Sequence, residues 1–346
     1  MSLKLKKLDE QVMVITGATS GIGLATARMA AEGGARLVLA ARDADALDTL
    51  AHEMRQRGME VATVTADVGN PADVARIGQQ AMERFGRVDT WVNNAGISVY
   101  GRNEDIALED MRKVMQTNFW GVVHGSLEAV RLMKGRGGGA LINLGSEVSD
   151  RAVPLQGTYS ASKHAIKAFT ESLRMELDKE DAGISLTVIK PSAIATPFPN
   201  HAKSYMEHEP DLPPPNYAPE LVAQAIVHAA QVPERDLYVG GHSKLTSLAG
   251  YLMPRALDRF MGRTMFSQQQ SDRPNSSARR DTLYRPDAAQ ELRQRNDSDH
   301  LVVERSPYTS FEMRSKSTKT VLLGGALLAA WALTRKPWQR TVWHAS

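Results

Sequence analysis

The feature that most constrains this chain is an alternation. Short runs rich in Val, Ile, Leu and Thr at residues 11–16, 35–41, 60–66, 88–93, 140–145 and 184–190 are separated by helix-length amphipathic stretches such as 21–33, 44–57, 71–85 and 159–178. Nearly continuous apolar runs belong to strands buried on both faces, and strands that alternate with helices build βαβ units. The pattern predicts an α/β fold, a doubly wound, Rossmann-like parallel sheet with helices on both faces. It runs over residues 8–240 within a single domain of residues 1–266, and residues 241–266 read as Met-rich helix. At 346 residues the chain is long enough for one large core.

Three stretches break the alternation. Residues 197–219 are Pro-rich and contain Pro213, Pro214 and Pro215, which excludes a helix there and fits a lid or binding loop. Residues 267–319 are dense in Ser, Arg, Asp, Gln and Pro, and this composition reads as a disordered linker. Residues 320–334 are uncharged and bracketed by Lys316, Lys319, Arg335 and Lys336, with Trp331, Trp338 and Trp343 able to sit at headgroup level. As a helix that stretch would span roughly 22 Å against a hydrocarbon core of roughly 30 Å. That is short for a span, yet the flanks are those of an anchor, so residues 320–346 are read as an apolar segment that associates with a membrane, leaving the domain on the cytoplasmic side; the other reading is a C-terminal helix packed on the domain or against a partner subunit. Nothing at the amino terminus reads as a secretory signal.

The charge follows the same division. The net charge is +3, but from Ser267 onward thirteen Lys/Arg face eight Asp/Glu, so the basic balance belongs to the tail and the body is slightly acidic. No clustered basic face suggests nucleic acid as a partner. The chain has no Cys, which excludes disulfides, thiolate metal sites and a Cys nucleophile. His201 and His208 are too far apart on a Pro-rich loop to imply a metal.

The first strand runs into Thr16-Gly17-Ala18-Thr19-Ser20-Gly21-Ile22-Gly23 and then a helix. Glycines at such a turn let the backbone approach a pyrophosphate, and the helix N-terminus offers it free N–H groups. A glycine turn without a ligand is the other reading of this feature. The second strand ends at Ala41-Arg42, where dinucleotide-binding units often carry an acid for the ribose hydroxyl. Arg42 suits a 2′-phosphate instead, which favours NADP(H) over NAD(H). Alternatively Arg42 is a solvated loop charge beside Asp43, itself a helix cap. Asp67-Val68 and Asn93-Asn94-Ala95-Gly96 close the third and fourth strands at the carboxyl edge, where ligands bind in open α/β sheets. Tyr159 and Lys163, four residues apart, face one side of a helix. A Lys cation one turn away favours the phenolate and makes the Tyr a more useful acid or base. Ser146 ends the preceding strand.

In this order the motifs resemble those of the short-chain dehydrogenases and reductases, over about residues 8–240, with Asn118 and Pro191 in matching places. The glycine spacing is that of the shorter oxidoreductase type, here with an added C-terminal tail. The resemblance implies hydride transfer between NADP(H) and a carbonyl or secondary alcohol, acting on the CH–OH group. Tyr159 would be the proton donor. Lys163 would bond the nicotinamide ribose and lower the Tyr pKa, Ser146 would polarise the substrate oxygen, and Asn118 would anchor a relay water. It further implies that Thr16, Gly17, Ser20, Gly21, Ile22, Gly23, Arg42, Asp67, Val68, Asn94, Ala95, Gly96 and Thr196 hold the cofactor. It also implies a homodimer or homotetramer built on helices near residues 106–133 and 159–178. Other readings are an NADP(H) sensor without turnover and nucleotide-sugar epimerase chemistry. Val99, Tyr100, Phe198, Tyr205, Met206 and Tyr217 point to a partly apolar small-molecule substrate, although these aromatics could equally serve only to pack the loop down.

Overall fold

The structure is a computed structural model that describes residues 3–276, 278–296 and 300–314. Seven strands form the central sheet: β1 Val12–Thr16, β2 Arg36–Ala41, β3 Val61–Thr65, β4 Thr90–Asn93, β5 Gly139–Leu144, β6 Ile184–Pro191 and β7 Asp236–Val239. Their order is β7-β6-β5-β4-β1-β2-β3 and all pairings are parallel. The direction of winding reverses between β1 and β4, so a crevice opens at the carboxyl ends of these two strands.

The strands alternate with α1 Gly21–Glu32, α2 Ala44–Gln56, α3 Pro71–Phe85, α4 Leu108–Met115, α5 Gly121–Met133, α6 Gly157–Lys179 and α7 Pro219–Ala229. Local chemistry sets their ends. Asp43 accepts the Ala46 N–H at 2.9 Å to cap α2. Asn70 caps α3, Pro71 opens it, and Gly86 closes it in the left-handed region at φ 73°. One core cluster packs α1, α2 and α7 on one sheet face, and a second packs α3, α5 and α6 on the other. Every residue of β1, β4, β5 and β6 is buried, as the apolar runs require.

Three features differ from the sequence expectations. β7, with its polar start at Asp236, is too short to stand out as an apolar run. The Pro-rich stretch does contain one helical turn, Phe198–His201, because Pro is tolerated in a first turn. The largest difference concerns residues 267–319, expected to be a disordered linker. As far as residue 314 the described part lies across the domain. Gln270–Pro274 pairs antiparallel with His208–Pro210, Val302–Val303 pairs with Asn216–Tyr217, and the Thr309 hydroxyl accepts the Gly240 N–H at 3.0 Å. Low hydrophobicity means that this stretch has no core of its own, but it still pairs with backbone edges that the domain presents. Before it, α8 Gly241–Leu252 and α9 Pro254–Gln268 supply the expected Met-rich helices. Residues 320–334, read as membrane-associating, lie outside the described residues. Among the described residues no helix is long and apolar enough to cross a membrane.

Candidate active site

At the switch point the glycine turn has no room for side chains. Gly17 and Gly21 take φ of +66° and +52°, and a Cβ on Gly23 would stand 1.9 Å from the Gly17 carbonyl oxygen. A Cβ on Gly17 would meet the Ala95 Cα at 2.9 Å. Asn94 fixes the turn from the next strand, donating from Nδ2 to the carbonyls of Thr16 at 2.9 Å and Gly17 at 3.1 Å. The Thr16 hydroxyl accepts the N–H groups of Asn94 and Ala95. Deeper in, Asn93 joins β4 to β5 by donating to Asn143 Oδ1 at 2.8 Å. Thr196 lies across the groove from Gly21, at 3.2 Å from where a Cβ there would be.

Ser146, Tyr159 and Lys163 converge on a cavity of about 500 Å³ that also touches Gly17, Ser20, Gly21, Ile22, Asn94, Ala95, Gly96 and Thr196. Burial pushes the Tyr159 phenol above its ordinary value, a hydrogen bond from Ser146 opposes the rise, and Glu147 adds to it. Lys163 is buried, donates to the Leu144 carbonyl at 2.7 Å and sits 5.6 Å from the Tyr159 ring centre. Burial lowers its ammonium to about 8. Lys163 is not among the groups that act on the phenol, so the expected lowering of the Tyr159 pKa by Lys163 does not appear and desolvation prevails.

Asn118 lies in a π-helical turn, Gln116–Trp120, between α4 and α5. Such wide turns recur at functional sites. Its side chain is fully buried and engaged, accepting from the Ile97 N–H at 2.9 Å and donating to the Ile97 carbonyl at 2.9 Å and Ser162 Oγ at 3.0 Å. It ties the loop after β4 to α6, one turn from Tyr159.

The match of the chain to known proteins agrees with this geometry. A family model described as short chain dehydrogenase matches residues 11–206. The chain belongs to the short-chain dehydrogenase family. It is 45% identical over 339 residues to the uncharacterized oxidoreductase YxnA of Bacillus subtilis, covering 96% of this chain and 93% of that protein. The dehydrogenase/reductase SDR family member 7B of Bos taurus is 34% identical, over 76% of this chain and 82% of its own. Among solved structures, a short-chain dehydrogenase/reductase from Burkholderia phymatum in complex with NAD superposes with a TM-score of 0.65 at 26% identity, over 79% of this chain and all of that one. An alcohol dehydrogenase from Thermococcus sibiricus, complexed with 5-hydroxy-NADP, gives 0.58 at 30% identity, over 66% and 95%.

The residues that the sequence reading assigns to the adenosine, at the ends of β2 and β3, differ most from expectation. Asp43 caps α2 as one sequence reading had it, but Arg42 is not a solvated charge. Its guanidinium donates to the carbonyls of Thr282 at 2.5 Å and Leu283 at 3.3 Å. Asp67 accepts from Lys113 at 2.7 Å and from the Gly69 N–H at 2.9 Å. Burial works to raise the Asp67 carboxyl, and these bonds overcome it and hold the group below its ordinary value. Val68 is buried, and its carbonyl contacts His124 Nδ1 at 3.0 Å. Neither Arg42 nor Asp67 lines the cavity.

The loop aromatics divide. Phe198 and Tyr100 face the cavity, with Phe198 5.3 Å from the Tyr159 ring centre. Val99, Tyr205, Met206 and Tyr217 pack elsewhere, and the Tyr205 hydroxyl donates to Asp110 at 2.7 Å. The apolar wall comes instead from α8 and α9 through Leu245, Leu257, Phe260, Met261 and Met265, residues that carry no motif. Among the described residues no group of His, Asp or Glu is placed to hold a metal ion.

Proposed function

We propose that this short-chain dehydrogenase is an NADP-dependent oxidoreductase that interconverts a partly apolar carbonyl compound and its secondary alcohol. The observation that carries the reading is the convergence of Ser146, Tyr159 and Lys163 on one cavity floored by the glycine turn. The residues present suit a dinucleotide. The turn leaves no space where Cβ atoms would stand, and α1 begins there with no side-chain cap on its first turn.

A bound nicotinamide dinucleotide would supply or accept the hydride in the cavity that Ser146, Tyr159 and Lys163 line. The Ser146 hydroxyl holds the substrate oxygen. The Tyr159 phenol gives its proton to that oxygen during reduction and takes it back during oxidation. Lys163, buried beside the ring, adds positive charge when protonated and is placed to bond a ribose hydroxyl. Asn118 acts by fixing the loop after β4 against α6. Gly96 is packed within reach of both, since a Cβ there would lie 3.5 Å from Asn118 Oδ1 and 3.9 Å from Lys163 Nζ. Arg42 at the end of β2 supports NADP(H) as the preferred cofactor and NAD(H) as the weaker one. The wall of Leu245, Leu257, Phe260 and Met261 supports an apolar substrate body. Leu108, Leu127 and Met175, all more than half exposed on α4, α5 and α6, support self-association, which light scattering on the purified protein would test.

The test is consumption of NADPH by purified protein against a panel of ketones, aldehydes and quinones, repeated with NADH and with Arg42→Asp. Turnover with NADPH should exceed that with NADH, and Arg42→Asp should reverse the preference. A wild type that prefers NADH removes the assignment of Arg42. A protein that turns over nothing while binding NADPH tightly would favour a sensor.

A further inference from the structure

The adenosine half of the groove is covered by the chain's own tail, and the contacts have a pattern. At one end, Arg42 donates to the Thr282 and Leu283 carbonyls. At the other, the Gly21 N–H, the first amide of α1, donates to the Arg293 carbonyl at 2.9 Å, and the Leu292 N–H donates to the Thr19 carbonyl at 2.7 Å. At the Arg42 end, the Leu283 side chain is fully buried against Ile97, Val99, Ile106 and Val114. The donors that the sequence reading assigns to a 2′-phosphate and a pyrophosphate are thus satisfied by main-chain carbonyls, with an apolar side chain seated beside the first.

We infer that residues 279–293 form an intramolecular strap whose docking surface is the adenosine half of the cofactor groove, so that a dinucleotide binds by displacing it. This rests on the cofactor reading above. The exchange is physically reasonable because a phosphate oxygen makes with the Gly21 N–H a charge-assisted bond of roughly twice the strength of its neutral bond to a carbonyl, and pairs the Arg42 cation with an anion where the carbonyls offer only dipoles. NADPH and NADH share the adenosine half, so both meet the strap. Its closure lowers the apparent affinity of each by the same factor, the fraction of molecules with the strap away. The strap also holds the loop beside the cavity. Arg279 donates to the carbonyls of Pro199, Asn200 and Ala202, and the Thr282 N–H donates to that of His201. Its release at the cofactor end therefore loosens the turn that places Phe198 against Tyr159.

The experiment uses the full chain, with Leu283→Asp to unseat the strap and Arg279→Ala to weaken its hold on the loop without touching the apolar seat. Dissociation constants for NADPH and NADH are measured by calorimetry, and amide hydrogen exchange over 279–293 is followed with and without NADPH. Unseating should tighten both cofactors by a similar factor, at least about tenfold for Leu283→Asp, and NADPH should speed exchange in the strap of the wild type. Weaker binding in both variants, with exchange slowed by NADPH, would overturn the proposal and make the segment a wall that closes on the bound cofactor. Unchanged affinities would also overturn it. If wild type and variants alike bind neither dinucleotide, the cofactor reading itself fails, and the competition fails with it.

Discussion

The carboxyl edge of the sheet and the strap that lies over it meet at Arg42 and Gly21, yet they are built in opposite ways. Along the edge, side-chain identity decides position. Thr16, Asn94, Ser146 and Tyr159 each stand where a strand or helix of fixed period leaves them, and the glycines stand where a Cβ would strike backbone. Where the strap meets this edge, main-chain groups make the hydrogen bonds. Thr282, Leu283 and Arg293 contribute carbonyl oxygens, which any residue would supply. Motifs can be read only where the side chain carries the interaction, so the two regions teach which part of a structure a sequence is able to announce.

The sharpest way to separate the two regions is to remove one atom from the edge. Tyr159→Phe deletes the phenolic oxygen and leaves the packing of the ring on Phe198 and Lys163 intact. Turnover should fall roughly 10²- to 10⁴-fold, the usual contribution of a placed general acid or base, with cofactor affinity unchanged. Steady-state rates and a binding titration on the same preparation check both halves. A loss of less than about threefold would mean that the proton comes from elsewhere, and that the edge does not hold the chemistry assigned to it.

Legibility follows the same physics within the edge. The sheet and α1, α2, α3 and α6 lie close to where their apolar periodicity places them, because buried strands and amphipathic helices need that periodicity. β7 escaped notice because four residues beginning with Asp236 carry too little pattern. Lys113 and Ser162, which hold Asp67 and Asn118, were also missed. Nothing at their own positions advertises a partner that is distant in the chain. For the strap one signal does exist: Leu283-Tyr284 is an apolar pair in a strongly polar run, and both members are used. Leu283 is buried, and the Tyr284 hydroxyl donates to Asp110 at 2.7 Å. An isolated apolar pair inside apparent linker is better read as an anchor than as noise.

A second, smaller effect tests the seam between the regions. The backbone of His201 is bonded by the strap at Thr282, and its side chain is half-buried, with Nε2 shut off from solvent. Burial pushes its imidazole down to about 4 from 6.5; Arg42 and Arg293 act in the same direction, and a backbone hydrogen bond involving Gln290 opposes them. Because the folded-state pKa lies below the unfolded one, the unfolded chain binds the proton first. The contribution of this group is therefore fully present above pH 6.5 and is lost as pH falls toward 4, by about 3 kcal/mol in all. Urea unfolding at several pH values should show this slope in the wild type and a flatter one in His201→Gln. Parallel slopes would mean that the imidazole is solvated, so that the strap does not seal the loop against the domain.

The smallest expected effect probes what holds the tail beyond the strap. Arg295 pairs with Glu304 at 2.6 Å within the tail and with Glu220, at the start of α7, at 2.9 Å. The geometry looks strong, but the side chains of Arg295, Glu304 and Glu220 are 39%, 57% and 35% exposed. Water and salt screen such pairs, and ordering three long side chains costs entropy, so exposed pairs are typically worth about 0.2–1 kcal/mol. Arg295→Ala should therefore lower stability by less than about 1 kcal/mol and leave exchange protection over 279–293 unchanged. If the variant instead lost about 3 kcal/mol, or if its strap exchanged freely, surface charge would be doing what is here assigned to carbonyl bonds and the Leu283 seat. The tail would then be held by side-chain identity after all, as the sheet edge is, and its many Arg and Glu residues should have been read as partners for the domain rather than as the composition of a linker.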